Sequence, residues 1–532
     1  MKSKSLYKIK YYFPLLIIIL ISVLFRFSRL SIRPMHTDEA VHAIKFGVLL
    51  EEGNYYYDKN DFHGPTLNYF TLIPAWLRSQ KTLASLDEST LRIVPAFAGL
   101  GLILLLFLLT EGFGLPLVIA IASLTAISPL LIFYNRYYIQ ESLLVFFTFG
   151  SLVSIYRFIL SRKTGWLILT GIFIGLMLAT KETSLINLLI MIAAFCSTLF
   201  FRFKKITEIK KYLISFKLWN IIVIAGIAMF ISVLFYSSFF SNLKGITDSF
   251  VTYKMYFGKA GSGAPHIHTW YYYLQLLTFS KSPKGMIWSE FWIIIAACIG
   301  WYSLIRRKNN YPICYYFILF IGIYTLMLIL VYSAIPYKTP WNMLGFYYGL
   351  IILAGYGIIR LFTDNLKLWI KSIIVLFLLT GTIHLMAQVY LLNFKSPSDP
   401  YNPYVYAHTG SDIFNIVSRV DSIASADPQG KNLSVDVIFP GHDYWPLPWY
   451  LRNYKNIGYR EHIDLNQTAA PLILASPLVE KEIIKLLYEV PPPGERYLYL
   501  PLFEHYMELR PMLEIKGYVR KNTWDNYVQS RN

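Results

Sequence analysis

The chain has 532 residues, of which 55% are hydrophobic and only 15% are charged, and its mean hydropathy is +0.45. Soluble domains carry about 25% charged residues, so this composition excludes a wholly soluble protein and indicates a polytopic membrane protein. The net charge of +18 would suit nucleic-acid binding. However, the sequence shows neither a basic face nor a nucleic-acid-binding motif, and we expect no nucleic acid partner.

Apolar segments long enough to cross a membrane recur along most of the chain. The sequence predicts eleven transmembrane helices, at residues 11–30, 91–110, 115–134, 141–160, 165–181, 183–201, 218–240, 287–305, 313–334, 342–361 and 370–392. The first segment lacks a following cleavage site of small residues, which indicates a retained anchor. The cysteines have no metal-ligand spacing and are expected as small buried apolar residues: Cys196, Cys298 and Cys314.

The distribution of Lys and Arg predicts the orientation of the chain. Basic runs occur at the N-terminus and at residues 202–211, 306–308 and 360–371, and cytoplasmic loops carry such an excess. We therefore expect a multi-pass protein of the plasma (inner) membrane with a cytoplasmic N-terminus. The short gap between the fifth and sixth predicted spans matters here, because losing one of them would reverse the sides of everything downstream.

The predicted fold is a polytopic α-helical membrane protein with a C-terminal extracytoplasmic α/β domain. The transmembrane domain covers residues 1–394 and includes two long outer loops, 31–90 and 241–286. The first loop contains "TDEAVHAIKFGVLLEEG", whose apolar spacing predicts an amphipathic helix lying on the membrane. In the soluble domain, residues 395–532, "LSVDVIF" and "APLILAS" predict strands and "VEKEIIKLLYEV" predicts a helix.

Two adjacent carboxylates, Asp38 and Glu39, directly follow the first predicted span. One interpretation is functional, since a carboxylate near low dielectric has an altered proton affinity and attracts cations. The other interpretation is a helix N-terminus, with Thr37 as the capping residue and two acids at the positive end of the helix dipole. The residues alone leave both interpretations open.

Several motifs together resemble the GT-C membrane glycosyltransferases, which include the protein O-mannosyltransferases and the lipid A aminoarabinose transferase. These motifs are the acidic pair followed in order by "YYYDKNDFHGPTL", "YNRYYIQES" and "LATKETS". A closer resemblance, to the flippase-activity-associated group linked to archaeal N-glycosylation, also includes "IPYKTPWN", "NPYVYAHT" and "HDYWPLPWYLR". The resemblance covers most of the chain and implies a GT-C fold.

The resemblance implies an enzyme that moves a sugar from a polyprenyl-phosphate-linked donor to a protein, lipid or glycan acceptor on the outer face, with inversion. It assigns the catalytic role to Asp38, with Glu39 beside it. Substrate-binding candidates carried over or placed by these motifs are Arg136, Glu141, Lys181, Glu182, Lys338, His63 and Tyr57. Gly64 stands where the mannosyltransferases have the middle Pro of a His-Pro-Pro element, which weakens a role for His63.

The cofactor is left open by the sequence: a divalent cation, Mg²⁺ or Mn²⁺, would be held by Asp38 and Glu141. The chemistry itself needs little more than one base for the acceptor proton and cations for the leaving phosphate. The alternative function is a non-catalytic membrane protein that binds lipid-linked sugars or assists their flipping. A solute transporter would call for an internal repeat, and the sequence shows none.

Each candidate also has a purely structural interpretation. Arg136 could be a snorkelling interfacial residue, Glu141 a helix start, and Lys338 part of a rigid turn. Lys181 and Glu182 could form only a turn between two spans. In the tail, "HDYWPLPWYLR" suits either sugar stacking or a buried aromatic anchor. The run "GSGAPH", residues 261–266, predicts a mobile outer loop that could order over a substrate.

Overall fold

The computed structural model describes residues 2–60, 63–203, 205–259, 266–281, 287–306, 313–363 and 366–531. The chain divides into two compact units. The first, here called the membrane unit, comprises residues 1–30, 52–79 and 89–396; the second, the α/β unit, comprises residues 31–51, 80–88 and 397–532. The predicted outer loop 31–90 is thus shared between the two units, whereas the sequence placed it wholly with the spans.

Helices make up most of the described chain. The first eleven are α1 (Lys2–Phe27), α2 (Thr37–Glu52), α3 (Thr66–Leu77), α4 (Glu88–Phe107), α5 (Thr110–Phe113), α6 (Leu115–Ile127), α7 (Pro129–Asn135), α8 (Glu141–Ser161), α9 (Thr164–Leu178), α10 (Ser184–Arg202) and α11 (Ile206–Ser215). The others are α12 (Leu218–Tyr236), α13 (Lys244–Lys259), α14 (Tyr272–Thr278), α15 (Phe291–Ile305), α16 (Ile313–Ala334), α17 (Leu344–Thr363), α18 (Leu368–Tyr390), α19 (Asp412–Ala426), α20 (Leu447–Tyr450), α21 (Glu480–Ile484) and α22 (Lys521–Arg531).

Among the described residues, seven helices are long and apolar enough to cross a membrane, judged by length and composition. Helices α6 and α7 together make an eighth apolar segment, bent by 62°. Three further apolar helices are shorter: Phe13–Phe27, α9 and α15. Each predicted span falls on one of these helices, and the chain is a multi-pass membrane protein. The count of eleven crossings stays a prediction.

The bend between α6 and α7 has a local cause. Pro129 opens α7, and Ser128 before it has extended backbone, so the hydrogen-bond ladder of α6 stops there. The buried carboxylate of Glu290 then accepts hydrogen bonds from the Leu130 amide (2.9 Å) and the Tyr347 hydroxyl (2.5 Å). An anion at a helix N-terminus is favourable, and Glu290 thereby fixes the short helix that leads to residues 136–140.

The cysteine prediction is wrong for two of the three residues. Cys196 and Cys298 are exposed on the surface of the protein and Cys314 is half-buried. The first two lie on the apolar helices α10 and α15. In a membrane the exposed faces of such helices contact lipid, so an apolar setting does not require burial within the protein.

The α/β unit contains a five-stranded mixed sheet. Its strands are β3 (Val435–Ile438), β4 (Ile457–Arg460), β5 (Leu472–Ala475), β6 (Tyr499–Pro501) and β9 (Lys516–Arg520), in the order β4-β3-β5-β9-β6. The pairs β3–β4 and β3–β5 are parallel, and β9 is antiparallel to both neighbours. The short strands are β1 (Ser280–Lys281), β2 (Ile287–Trp288), β7 (Glu508–Arg510) and β8 (Leu513–Glu514).

Both faces of this sheet are covered. Val435 and Val437 of β3 belong to the core cluster that α19 and α22 close, whereas Ile438 belongs to the cluster with Ile483 of α21. Side chains alternate between the two faces of a strand, so one strand serves both cores. The two strands and the helix predicted from the sequence are found in these places. β5 is a continuous apolar run because neither face of the sheet meets water, and β3 departs from that pattern at Asp436, which pairs with Arg460 of β4 (3.2 Å).

The predicted amphipathic helix is α2, but its apolar stripe is buried within the α/β unit rather than left for a membrane surface. Ala40, Ala43 and Phe46 are fully buried. A Cβ atom on Gly47 would lie 2.7 Å from a methyl group of Leu83, so the glycine lets Leu83 pack closely against α2. Protein atoms, rather than lipid, therefore cover the apolar side chains of α2.

Candidate active site

The adjacent acids at the start of α2 have different environments. The Asp38 side chain is 45% exposed, whereas Glu39 is fully buried. One Glu39 carboxylate oxygen accepts a hydrogen bond from the His36 amide (3.1 Å), and the other lies 3.7 Å from the Arg33 guanidinium. Glu39 therefore has a structural environment, and Asp38 is the acid that solvent or a substrate can reach.

His36, not Thr37, caps α2. The His36 Nδ1 atom accepts a hydrogen bond from the Asp38 amide (3.0 Å), and Nε2 lies 3.1 Å from the Tyr406 carbonyl oxygen. These partners assign the neutral tautomer with hydrogen on Nε2. Burial lowers the pKa of His36, although Asp38 and Glu39 oppose the shift. The Thr37 hydroxyl is buried and has no hydrogen-bond partner among the described residues, so that capping prediction is wrong.

The tail motif "NPYVYAHT" meets the segment that precedes α2. The Thr409 hydroxyl donates a hydrogen bond to the Met35 carbonyl oxygen (2.7 Å), and the rings of His36 and His408 are 5.0 Å apart. From the second tail motif, the Tyr450 hydroxyl accepts a hydrogen bond from the Met35 amide (2.8 Å). Sequences separated by more than 360 residues thus fix the entry to α2.

The motif "HDYWPLPWYLR" is an aromatic anchor within the α/β unit. Trp449 is fully buried, and its indole N–H donates a hydrogen bond to Glu88 (2.8 Å). Arg452 donates a hydrogen bond to the Leu86 carbonyl oxygen (2.6 Å), and its guanidinium lies 3.8 Å from the Trp449 ring centre. The tail therefore binds the short segment at residues 83–88, and a burial role accounts for these two side chains.

In the membrane unit, the predicted residues Glu141 and Lys181 form a buried ion pair. Burial lowers the pKa of Lys181, but the charge and hydrogen bond of Glu141 outweigh it, and the net shift is upward. The second carboxylate oxygen of Glu141 has no hydrogen-bond partner among the described residues. The sequence named both residues separately, and the structure brings them together.

Glu182 holds the loop that carries His63. Its carboxylate accepts hydrogen bonds from the His63 amide (2.8 Å) and lies 3.2 Å from the His63 Nδ1 atom. Burial raises the pKa of Glu182, but the hydrogen bond and charge of His63 outweigh this and lower it overall. The neighbouring Gly64 donates to the Thr180 carbonyl oxygen (3.0 Å), and a Cβ there would lie 2.0 Å from the Ala179 oxygen. Close backbone contact therefore explains why this position holds glycine and not the proline of the mannosyltransferases.

Arg136 closes the end of α1. Its guanidinium donates hydrogen bonds to the carbonyl oxygens of Phe25 (2.9 Å), Ser28 (2.6 Å) and Arg29 (3.0 Å) and stacks over Phe394 at 4.7 Å. A cation at a helix C-terminus is favourable, and orphan carbonyl oxygens need such donors. The geometry is that of a helix cap rather than of an open phosphate site.

Tyr57 also has a structural partner. Its hydroxyl donates a hydrogen bond to Thr252 of α13 (2.9 Å), and its ring packs edge-on against Tyr236 at 5.0 Å. The side chain is buried. These contacts hold the segment between α2 and α3 to α13 and leave no direct indication of substrate contact.

Lys338 lies in the segment between α16 and α17. It is almost fully buried, and its ammonium group donates hydrogen bonds to the carbonyl oxygens of Ile335 and of His268 (3.3 Å). No carboxylate among the described residues forms an ion pair with it. Burial lowers the pKa of Lys338. A buried cation without a counter-ion favours the arrival of an anion.

Two histidines next to Lys338 were not anticipated. The Lys338 amide donates to the His266 carbonyl oxygen (3.1 Å), and the His268 ring stacks on Tyr272 at 4.1 Å. The signal was present in the sequence as "HIH" directly after the glycine-rich run. Of that run, residues 261–265 lie outside the described residues.

A narrow cavity of about 40 Å³ lies beside Glu141 between α8, α10, α16 and α17. Glu141, Thr148 and Tyr324 on its wall are each more than nine-tenths buried. The second carboxylate oxygen of Glu141 and the hydroxyls of the other two have no hydrogen-bond partner among the described residues. A cavity of that size holds a few water molecules. The polar mouth at Glu141 leads to apolar walls further along the helices.

The proposed metal ligands do not form a complete site in the described chain. No group of three His, Cys, Asp or Glu side chains arranged for a metal ion occurs among the described residues. Asp38 and Glu141 belong to different units, and Glu141 is already paired with Lys181. We therefore derive no step through a metal, and the divalent cation stays a prediction.

Comparison with known proteins supports the fold. Residues 16–242 match the family model of dolichyl-phosphate-mannose-protein mannosyltransferases. The crystal structure of ArnT from Cupriavidus metallidurans bound to undecaprenyl phosphate matches with 13% sequence identity and a TM-score of 0.62, over 94% of this chain and 97% of ArnT. No curated protein sequence matches the chain.

A second solved structure extends this likeness. The oligosaccharyltransferase AglB from Archaeoglobus fulgidus, in complex with an inhibitory peptide and a dolichol-phosphate, matches with 13% identity and a TM-score of 0.53, over 93% of this chain and 73% of AglB. The closer resemblance to the flippase-activity-associated group stays a prediction. These matches confirm the resemblance to the GT-C superfamily, whose fold this chain shares.

Proposed function

We propose that the chain is a glycosyltransferase that moves a sugar from a polyprenyl-phosphate-linked donor to an acceptor, with inversion at the anomeric carbon. The observation that carries the proposal is the division of the acidic pair. Asp38 is half-exposed on a capped helix, whereas Glu39, Arg33 and His36 are buried around it. His36 and Glu39 fix the backbone at the start of the helix that carries Asp38, and a general base must be held within reach of the proton that it takes.

The reaction is a single displacement. The acceptor oxygen or nitrogen attacks the anomeric carbon, the bond from that carbon to the phosphate oxygen breaks, and polyprenyl phosphate leaves with the bonding electron pair. Asp38 takes the acceptor proton. Because phosphate is a stable leaving anion, the reaction needs charge neutralisation more than acid assistance, and the paired carboxylates of glycoside hydrolases are not required.

Lys338 is the residue to which we assign the donor phosphate. Its charge is held by carbonyl oxygens that orient it without neutralising it. Lys181 carries a second buried charge, but Glu141 already balances it, so we assign this pair to positioning. The polyprenyl-phosphate class of donor is supported by the fold shared with ArnT and AglB, whose structures contain undecaprenyl phosphate and dolichol-phosphate.

Mass spectrometry of the lipids that co-purify from native membranes tests the proposal. We expect polyprenyl-phosphate sugar to accumulate on Asp38→Asn, while the wild-type protein carries bare polyprenyl phosphate. Glu52→Gln is the matched control, because Glu52 is an exposed acid at the other end of the same helix. It should give the wild-type lipid profile.

Two other results would overturn parts of the proposal. Equal amounts of the same glycolipid on wild type and Asp38→Asn would remove Asp38 as the base and favour the non-catalytic function, binding or flipping of a lipid-linked sugar. Absence of any polyprenyl lipid from both proteins would refute the donor class. Lys338→Gln, compared with the carbonyl-bonded surface control Lys371→Gln, then tests the phosphate assignment: only the former should lose bound lipid.

A further inference from the structure

An uncovered face of α19 in the α/β unit lies between two adjoining cavities. One cavity of about 660 Å³ extends towards α22, and the other, of about 510 Å³, extends towards α20. Ser418 and Ser422 line both cavities. They are four residues apart on one helix face, so the two cavities form a continuous groove across α19.

At the α22 side of the groove, two guanidinium groups converge on one phenol. Arg419 and Arg531 each donate a hydrogen bond to the Tyr527 hydroxyl, at 3.2 and 2.9 Å. Neither arginine forms an ion pair with any residue that the structure describes. Two guanidinium groups that share a neutral acceptor repel each other, and an anion between them would offset this repulsion. The remaining donors of both arginines suit a carboxylate or phosphate.

At the α20 side, the groove has an aromatic wall. Phe414 is 43% exposed, and its ring meets Tyr450 edge-on at 6.2 Å. A flat, partly exposed aromatic ring beside a groove suits the apolar face of a sugar. The serine hydroxyls between the two ends supply donors and acceptors for sugar hydroxyls.

The other charges that face the groove do not cancel the arginine pair. Glu504 and His505 line the first cavity and are exposed. Asp421 lines the second cavity, but it forms an ion pair with Lys431 and accepts a hydrogen bond from Tyr454 (2.7 Å). The groove thus has a positive end at α22 and a neutral aromatic end at α20.

We propose that this groove binds an acidic saccharide of at least two sugar units. The carboxylate or phosphate of one unit would lie between Arg419 and Arg531, and the next unit would stack on Phe414. Both volumes fall in the range typical of small-molecule sites, about 300–1,000 Å³. The proposal concerns binding alone and stands whether or not the chain transfers sugar.

Saturation-transfer NMR on the purified full chain in detergent tests this binding. The probes are a disaccharide with one uronic acid, a neutral disaccharide of the same size, glucose 6-phosphate and inorganic phosphate. We expect the acidic disaccharide to bind at least tenfold more tightly than the neutral one. Arg419→Gln should weaken its binding at least tenfold, whereas the control Arg496→Gln, an exposed arginine bonded to the Pro491 carbonyl oxygen, should not.

Further variants separate the two ends of the groove. Phe414→Ala should weaken the acidic disaccharide but leave inorganic phosphate unchanged. Ser422→Trp places a large side chain at an exposed helix position and should block both cavities. It therefore tests the proposal even if an arginine variant fails to fold. Glucose 6-phosphate as the better competitor would identify a phosphate ligand, and the uronic acid as the better competitor would identify a carboxylate ligand. Equal binding of acidic and neutral disaccharides, or unchanged binding to both Arg419→Gln and Ser422→Trp, would overturn the proposal.

Discussion

Two pairs of adjacent charged residues, one in each unit, are treated differently by the fold. Asp38 and Glu39 begin α2 in the α/β unit, and only Glu39 is buried. Lys181 and Glu182 lie between α9 and α10 in the membrane unit, and both are buried. Each buried member has a partner: Arg33 and the His36 amide for Glu39, Glu141 for Lys181, and His63 for Glu182.

The difference lies in which charged side chains already have a partner and which one is accessible to another molecule. A buried ion must be compensated, and its partner then limits what else it can bind. Asp38 alone keeps a side chain that another molecule can reach, and its helix start is fixed by Glu39 and His36. The comparison therefore separates residues that build the site from the residue that we propose acts on the substrate.

The largest expected effect is on activity at the first pair. Asp38→Asn should lower the rate of sugar transfer about 10²–10⁴-fold, the usual contribution of a general base, with little change in stability. Glu39→Gln should do the reverse: it weakens a buried charge-assisted contact, which costs about 1–3 kcal/mol of stability. Transfer from a polyprenyl-phosphate sugar, measured per folded molecule beside thermal unfolding, distinguishes them. Equal loss of activity in both variants would break the comparison.

Substitutions that affect the second pair should change the stability of the protein. Lys181→Met leaves Glu141 buried without its partner, and such a loss costs about 3–5 kcal/mol. The double variant Lys181→Met/Glu141→Leu should recover much of that stability, because apolar residues replace a buried ion pair well. Thermal unfolding of the four proteins of this cycle measures the coupling. A double variant as unstable as the sum of the singles would show that the two residues do not compensate each other.

The loop held by Glu182 offers a smaller effect. Gly64→Ala places a methyl group against the Ala179 carbonyl oxygen, and overpacking of this kind costs about 1–3 kcal/mol. Gly165→Ala is the matched control, because no atom lies within 4 Å of the added Cβ. Unfolding midpoints of both variants check the prediction. An unchanged midpoint for Gly64→Ala would mean that this backbone contact is not tight.

The sequence predicted the elements more readily than the partners. Every predicted span falls on an apolar helix, since span length and hydropathy are local properties, and the strands "LSVDVIF" and "APLILAS" are found because a run of β-branched and aliphatic residues suffices. The partner of Arg136 could not be predicted. Whether a guanidinium meets phosphate or the carbonyl oxygens of Phe25, Ser28 and Arg29 depends on where a distant helix ends.

The same limit applies to the acidic pair and to the division into units. A helix does begin at "TDEAV", with His36 rather than Thr37 as its cap, whereas the functional interpretation of Asp38 stays a prediction. A linear pattern cannot show which of the two acidic side chains points inward. Likewise, residues 31–51 join the tail because Met35 bonds to Thr409 and Tyr450. Contacts over such sequence separations leave no periodic signal. His266 and His268 were overlooked because histidine beside a glycine-rich loop is unspecific until Lys338 is found next to it.

The smallest expected effect is a pH dependence that differs between the two regions. Burial lowers the pKa of His36 from 6.5, against the opposing charges of Asp38 and Glu39. Below pH 6.5 the unfolded chain therefore takes up this proton before the folded chain, and the contribution of neutral His36 to stability falls with the pH. The pKa of Glu182 is lowered from 4.5, so its contribution is complete above pH 4.5 and is lost below it.

Between pH 6.5 and 5, protection of residues 33–52 in hydrogen exchange should fall while that of residues 179–184 stays constant. In His36→Asn, which can still cap α2 but does not titrate, the fall should disappear; a fall of the same size in that variant would assign the pH dependence to another group.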